Sequence, residues 1–335
     1  MPEASSLSID GIGSLPPVLT APLSGVSDLP FRRLVRRSFN GLVFSEMIAG
    51  KEMLQGTATS LRMALFAPDE SLPAIQLAGR EPAVMADAAR LSADLGARLI
   101  DINFGCPVKK VVNGLGGSAI MRDEALAVSI VEAVVNAVNL PVSVKMRLGW
   151  DRSSVNAPEI ARLSEQAGAV MVTVHGRTRD QFYDGRADWR AIAAVREAVS
   201  LSLVVNGDIA TAGDARRAMA LSGADAVMIG RAAFGRPWHV GALARALESG
   251  GEVELAEPSL EMELLLEHYD MMLEFHGERR GCRLARKHLL HALARYPGGD
   301  AVGRMIANCD EPEAVRARIR DFPDTLSPPS RVRAA

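Results

Sequence analysis

The chain predicts a (β/α)8 TIM barrel followed by an all-helical C-terminal domain, and three observations carry that prediction. Eight short, β-branched apolar runs alternate with helix-like stretches through the first 245 of 335 residues. A polar residue stands at the C-terminal end of nearly every run. The length suits a single barrel of about 250 residues with a modest second unit.

Taken in order, the runs cover residues 17–24, 42–47, 74–78, 99–104, 142–147, 170–175, 202–206 and 226–229. Each is bounded by Pro, Gly, Asn or Asp, the residues that punctuate strands. Parallel neighbours need a long crossover, so strands separated by helices imply a parallel sheet. The polar ends are Ser24, Glu46, Gln76, Asn103, Lys145, His175, Asn206 and Arg231. A closed barrel gathers such ends on one rim, where active sites of this fold lie. An open doubly wound sheet would not bring all eight together. Residues 1–245 are therefore assigned to the barrel, with 1–13 as a loose arm. Residues 246–335 form the helical domain and end in a flexible tail.

Apolar residues make up 48% and charged residues 23%, which suits a packed core and disfavours global disorder. Cys106, Cys282 and Cys309 lie far apart and none forms a C-x-x-C. Neither a disulfide framework nor a metal site is expected, and the compartment is a reducing cytoplasm. The N-terminus carries no leader pattern, and no apolar run reaches membrane-spanning length. The net charge of −2 argues against indiscriminate polyanion binding, but the charge is unevenly spread. Residues 247–276 hold nine acidic side chains and no Lys or Arg, whereas 277–335 carry a net +5. Such asymmetry builds a basic face on a weakly acidic protein.

Several motifs bear chemistry. Asn206-Gly207-Asp208 and Gly230-Arg231 end the seventh and eighth runs, where barrels often hold phosphate on loop amides. Arg231 adds a forked, charge-assisted contact. Lys145 ends an apolar strand and needs an anionic partner, because burying it alone is costly. A reduced flavin, with negative charge on its N1/O2 edge, is one such partner; an internal ion pair or a Schiff base is another. His175 suits a phosphate or a ring as well as a structural role, and Gln76 suits a carbonyl paired with an N–H. Cys106 follows the fourth run in Asn103-Phe104-Gly105-Cys106-Pro107, ahead of Lys109, Lys110 and a glycine stretch that reads as a mobile loop. A thiol of ordinary pKa is protonated at neutral pH and can act as a general acid, whereas nearby lysines favour a nucleophile. The run 114–119 matches G-x-G-x-x-A but follows no clean strand, so a dinucleotide site is not read from it. Arg279, Arg283, Arg286 and Leu290 keep helical spacing, with Lys287 beside them, as a basic stripe would.

Residues 21–32 (APLSGVSDLPFR) and 101–110 (DINFGCPVKK) resemble motifs of the tRNA-dihydrouridine synthases. Lys145-Met146-Arg147, His175-Gly176-Arg177-Thr178-Arg179, Asn206-Gly207-Asp208-Ile209 and Met228-Ile229-Gly230-Arg231 complete the set in family order. The likeness spans residues 17–245, extends more weakly through Ala285-Arg286-Lys287-His288, and is greatest to the bacterial B-type branch in Gln181-Phe182-Tyr183 and 231–238. One departure stands out: no Trp-Tyr pair follows the Arg-Lys-His helix here.

The resemblance implies FMN held by Ala21, Pro22, Leu23, Gln76, Lys145, His175, Asn206, Gly207, Asp208, Gly230 and Arg231. It also implies NADPH (or NADH) as reductant, hydride passing from flavin N5 to uracil C6, Cys106 protonating C5, and Asn103 holding the base. Lys109, Lys110, Arg177, Arg279, Arg283, Arg286 and Lys287 are expected on the substrate side, against a tRNA, with the enzyme a monomer. A uridine stacked in folded RNA has to be extruded to reach a barrel interior. Rival readings are an FMN barrel acting on a free pyrimidine, a class I aldolase using Lys145, and a non-catalytic tRNA-binding factor.

Overall fold

The computed structural model describes residues 6–108, 111–112, 116–254 and 256–322; Lys109, Lys110 and the expected flexible tail lie outside them. Eight parallel strands form one sheet: β1 (Val18–Thr20), β2 (Val43–Ala49), β3 (Pro73–Ala78), β4 (Leu99–Phe104), β5 (Val142–Arg147), β6 (Met171–His175), β7 (Ser202–Asn206) and β8 (Ala226–Ile229). Their order is β1-β8-β7-β6-β5-β4-β3-β2. Leu19 bridges Leu42, and the Thr20 N–H donates to Leu42 O at 3.1 Å, which closes the ring. The first strand is shorter than its apolar run suggests, because Ala21–Ser24 leave the sheet to wall the cavity described below.

Period-two alternation divides each strand between two environments. On β4, Ile100, Ile102 and Phe104 pack outward against the helices, while Asp101 and Asn103 point into the barrel. On β5, Val142, Val144 and Met146 face out, so Ser143, Lys145 and Arg147 face in. The lower interior is apolar, with Leu19, Phe44, Ala74, Leu99, Met171, Val204 and Met228 in one cluster. Leu7 and Ile9 join that cluster from an antiparallel ribbon, Leu7–Ile9 paired with Gly13–Leu15. The expected loose arm is thus corrected. Leu7 and Ile9 alternate with exposed Ser8 and cover the open end of the barrel, which would otherwise leave its apolar floor in water.

A bulge in β2 has functional weight. The register with β3 shifts between Phe44 and Met47, so an extra residue enters the strand. Met47 takes the inward position and lines the cavity. Glu46 is turned away to accept the Gly25 N–H, rather than joining the rim as its place in the sequence suggests.

Beyond the barrel helix His239–Ser249, four helices (Pro258–His276, Glu278–Leu293, Gly299–Ala307 and Pro312–Arg320) enclose a separate apolar core. The seam with the barrel runs along helix Leu29–Arg36, where the Phe31 ring meets those of His268 and His288. Both histidines are buried, with ring centroids 4.6 Å apart. Burial, tempered by Asp28, pulls His268 down to about 4, and burial with His268 and Lys287 nearby holds His288 well below the ordinary range.

Acid should therefore destabilise the fold. An unfolded histidine takes up a proton below its ordinary value of 6.5, whereas folded His268 stays neutral until about 4. Its contribution is full above pH 6.5 and is lost as pH falls toward 4, roughly 2 kcal/mol by pH 5. Asp101, raised to about 6 by burial, acts in the opposite sense and offsets part of the loss. Urea midpoints at pH 7 and pH 5 measure the difference. Equal midpoints, or a loss unchanged in His268→Leu, would show that the buried pair does not set the acid limit.

Candidate active site

The C-terminal ends of the strands surround a cavity of about 400 Å³. Ala21, Pro22, Leu23, Gln76, Lys145, His175, Asn206, Gly207, Asp208, Gly230 and Arg231 all line it, together with Asn103 and Cys106. In-register pairing sets neighbours side by side: Asn103 beside Lys145, Arg147 beside His175, and His175 beside Asn206.

The floor is a chain of side-chain amides with one polarity. Asp101, fully buried, accepts from Ser143 Oγ at 2.6 Å and from Gln76 Nε2 at 2.6 Å. With its amino group taken by the carboxylate, Gln76 turns its oxygen to Asn103 Nδ2 at 2.8 Å. Asn103 then offers Oδ1 to the Gly105 and Cys106 N–H groups at 3.1 and 2.8 Å. A carboxylate only accepts and a backbone N–H only donates, so both ends impose the same orientation. Across the barrel, Asn206 Nδ2 donates to Met228 O at 2.8 Å and its Oδ1 accepts from Lys145 Nζ at 3.2 Å. Such a network fixes the orientation of these side chains before any ligand arrives.

Lys145, recessed in the floor, is pulled down to about 8 by burial and by Arg147, against the pull of Asp101 and Cys106. His175 is held well below its ordinary range by burial and by Lys145, Arg147, Arg177 and Arg231, so it is neutral. Its Nδ1 is buried without a hydrogen-bond partner.

Cys106 sits on the cavity wall with its backbone N–H and carbonyl both held. Besides the Asn103 bond to its N–H, its carbonyl accepts from Ser118 N and Oγ at 3.1 and 2.9 Å. Burial pushes the thiol above its usual range, although the Val108 N–H, Arg147 and Lys145 work against this. The glycine stretch also differs from expectation. Residues 113–115 lie outside the described set, but Gly117–Arg122 is a 3-10 helix whose first five residues are buried. Gly117 has φ +56°, and a Cβ there would lie 2.9 Å from Cys106 O. This part of the presumed mobile loop is a packed support for the cysteine.

Two cavity residues have no role in the sequence reading. Arg147 donates to Gly105 O, Thr178 O and Phe182 O at 2.8–2.9 Å, and burial pulls it down to about 10. Its position two residues after Lys145 already places it on the inward face. Tyr183, at the rim, meets His175 edge-on and carries the guanidinium groups of Arg147 and Arg231 over its ring at 5.7 and 5.1 Å. Nothing local announces those contacts.

Two substrate-side expectations, Arg177 and Lys287, need correction. Arg177 does not face the opening; it is buried, paired with Asp208 at 2.6 Å, and donates to Asp184 O and Gly185 O. The Asp208 carboxylate lines the cavity as expected and accepts from Arg177, from Arg231 at 2.8 Å and from the Ala187 N–H, so it also holds Arg231 in place. On helix Glu278–Leu293, Arg279 and Arg283 are exposed and Arg286 leans on Asp310, but Lys287 is half-buried against the barrel.

A family model for dihydrouridine synthase (Dus) matches residues 19–326. The chain belongs to the dihydrouridine synthase family. It is 51% identical over 309 residues to a "Probable tRNA-dihydrouridine synthase" of Rhizobium leguminosarum bv. phaseoli, covering 90% of this chain and 93% of that one. It is 52% identical over 285 residues to a protein of the same name in Rhodobacter capsulatus, covering 85% and 88%. With the tRNA-dihydrouridine synthase B of Xanthomonas axonopodis pv. citri it shares 44% identity over 313 residues, covering 93% and 94%. The family match runs through the barrel and into the helices that carry Arg279 and Arg283, so the cavity and the basic helix belong to one inherited unit. Among the described residues of this dihydrouridine synthase, no helix is long and apolar enough to cross a membrane.

Proposed function

We propose that the protein reduces uridines in transfer RNA to 5,6-dihydrouridine, with FMN as cofactor and NADPH as reductant, in the cytoplasm. The observation that carries this reading is the placement of one thiol, Cys106, on the wall of a cavity whose floor presents oriented donors and a recessed lysine.

The residues suit FMN. The unpartnered His175 Nδ1, the Lys145 ammonium and the Gln76 amide offer polar groups to a flat ring with an anionic edge. Arg231, held by Asp208, and the adjacent Gly230 and Gly207 suit a phosphate at the ends of β7 and β8. When bound, the flavin supplies the hydride that saturates C6 of the uracil. Asn103, its oxygen committed to the Cys106 N–H and one amide N–H to Gln76, has its second N–H for the base. Cys106, protonated because burial raises its pKa, delivers the proton to C5. Arg147 and Tyr183 narrow the rim through which an extruded base passes. Arg279 and Arg283 contact RNA phosphates, so binding weakens with added salt.

The test is direct. Purified protein should be yellow and, with NADPH and unmodified transfer RNA, should form dihydrouridine measured by mass spectrometry. Equal turnover of free uridine would favour the free-pyrimidine rival. Colourless protein trapped by borohydride on Lys145 would favour the aldolase. Tight RNA binding with neither flavin nor product would leave a binding factor.

A further inference from the structure

Two carboxyl groups of the barrel meet a lysine and a histidine of the helical unit in one seam. Glu46, turned outward by the β2 bulge, accepts the Gly25 N–H. Asp28 caps helix Leu29–Arg36 by accepting from the Phe31 N–H at 3.1 Å, and its second oxygen meets His276 Nε2 at 2.7 Å. Glu46 is 7% exposed and Asp28 4%, so neither carboxyl group is solvated by bulk water and each depends on partners within the seam. Lys287 reaches the same place from helix Glu278–Leu293. A Cβ on Gly25 would stand 2.6 Å from its Nζ, and Gly25 has φ +69°. Only glycine accommodates both the backbone and the ammonium there.

What lies beside this seam gives it meaning. Residues 21–24, immediately before Gly25, form one wall of the cavity. The turn is tightly knit: Ser27 Oγ accepts the Leu23 N–H at 2.9 Å, and the Val26 and Ser27 N–H groups donate to Leu23 O at 2.9 and 3.0 Å. Displacement of Gly25 or Asp28 is therefore passed directly to Leu23. The turn behind the wall is backed by side chains of the helical unit, Lys287 against Gly25 and His276 against Asp28.

We propose that Lys287, with His276, is a positioning residue that holds the cofactor-facing wall at residues 21–24 through Glu46, Gly25 and Asp28, and is not a contact to RNA phosphate. This rests on the flavin-dependent reading above and gives the helical unit a second role, the completion of the cofactor site. RNA docking belongs to the exposed Arg279 and Arg283, which precede Lys287 by two turns and one turn along the same helix, so one helix serves both the polyanion and the cavity wall.

The experiment compares Lys287→Met with Arg283→Ala in the full-length protein. Flavin affinity is read by fluorescence titration, and transfer RNA affinity is read across a salt series. Lys287→Met should weaken flavin on the order of tenfold, a typical coupling between sites, and leave the salt slope of RNA binding unchanged. Arg283→Ala should leave flavin affinity unchanged and reduce the slope by about 0.7–0.9, one phosphate contact. Glu46→Gln perturbs the seam from the barrel side without touching the helical unit and should reproduce the flavin loss. Combined with Lys287→Met, it should add little further loss. Unchanged flavin affinity in Lys287→Met, or a reduced salt slope with or without flavin loss, overturns the assignment. Wild-type protein that binds no flavin would overturn the functional reading and this assignment with it.

Discussion

Cys106→Ala should lower dihydrouridine formation by roughly 10²–10⁴-fold, the usual contribution of a positioned general acid, while the protein keeps its flavin and still oxidises NADPH. Cys106 is the cavity-lining thiol, and its carbonyl and N–H are both anchored, so removal of Sγ leaves the loop in place. Its raised pKa sets the pH dependence. The protonated form persists through neutral pH, and proton delivery is lost only as pH rises through that raised value. A single-turnover series from neutral to alkaline pH on the wild type should show this decline, and the alanine variant should lack it. Product formation by Cys106→Ala at the wild-type rate would remove the thiol from the reaction. A lost alkaline limb with flavin retention intact would support its role as donor.

The second large effect concerns stability. Arg32→Met should destabilise the barrel by about 3–5 kcal/mol, the cost of stranding a buried charge. Arg32 and Glu70 are each 1% exposed and meet at 2.7 Å. The remaining guanidinium donors reach Ser27 O at 3.1 Å and Leu65 O at 2.6 Å, and Glu70 also accepts the Ala67 N–H at 3.1 Å. The pair ties helix Leu29–Arg36 to the loop before β3. Removing one partner leaves Glu70 charged in an apolar surround or forces it to take a proton. Replacing both, as in Arg32→Met with Glu70→Leu, should recover part of the loss because no charge is left behind. Urea unfolding of the single and double variants measures both quantities. A loss below about 1 kcal/mol in the single variant would mean that water reaches the site and the pair is not sealed.

Arg32 also marks a limit of motif reading. It belongs to the 21–32 segment that resembles a family motif, yet its side chain supports structure, and the cavity is served by Ala21–Ser24 at the other end of that segment. Arg177 repeats the pattern from within His175-Gly176-Arg177. Resemblance finds the segment, but it does not say which side chains of the segment point at chemistry.

Much of the barrel was legible because strand parity is local. A side chain two residues from another on a strand shares its face wherever that strand ends up, so Asp101 with Asn103 and Lys145 with Arg147 follow from the chain alone. The boundaries of the fourth, fifth, seventh and eighth strands match the apolar runs for the same reason: their ends are set by nearby Gly, Pro, Asn and Asp. The N-terminal ribbon was missed because Leu7 and Ile9 are too few to register as a run. Their burial depends on an open barrel end made by residues far along the chain.

The sequence by itself determined the number of barrel strands, which residues of β4 and β5 turn inward, and the cysteine that follows β4, since these depend on covalent spacing and short-range preference. Only the tertiary structure decided that a bulge sends Glu46 to the seam, that Asp208 is spent on two arginines, and that Lys287 faces the barrel while Arg283 faces water. Those outcomes depend on which distant group offers an opposite charge or an unfilled hydrogen bond once the ring has closed, and the local chain carries no record of that choice.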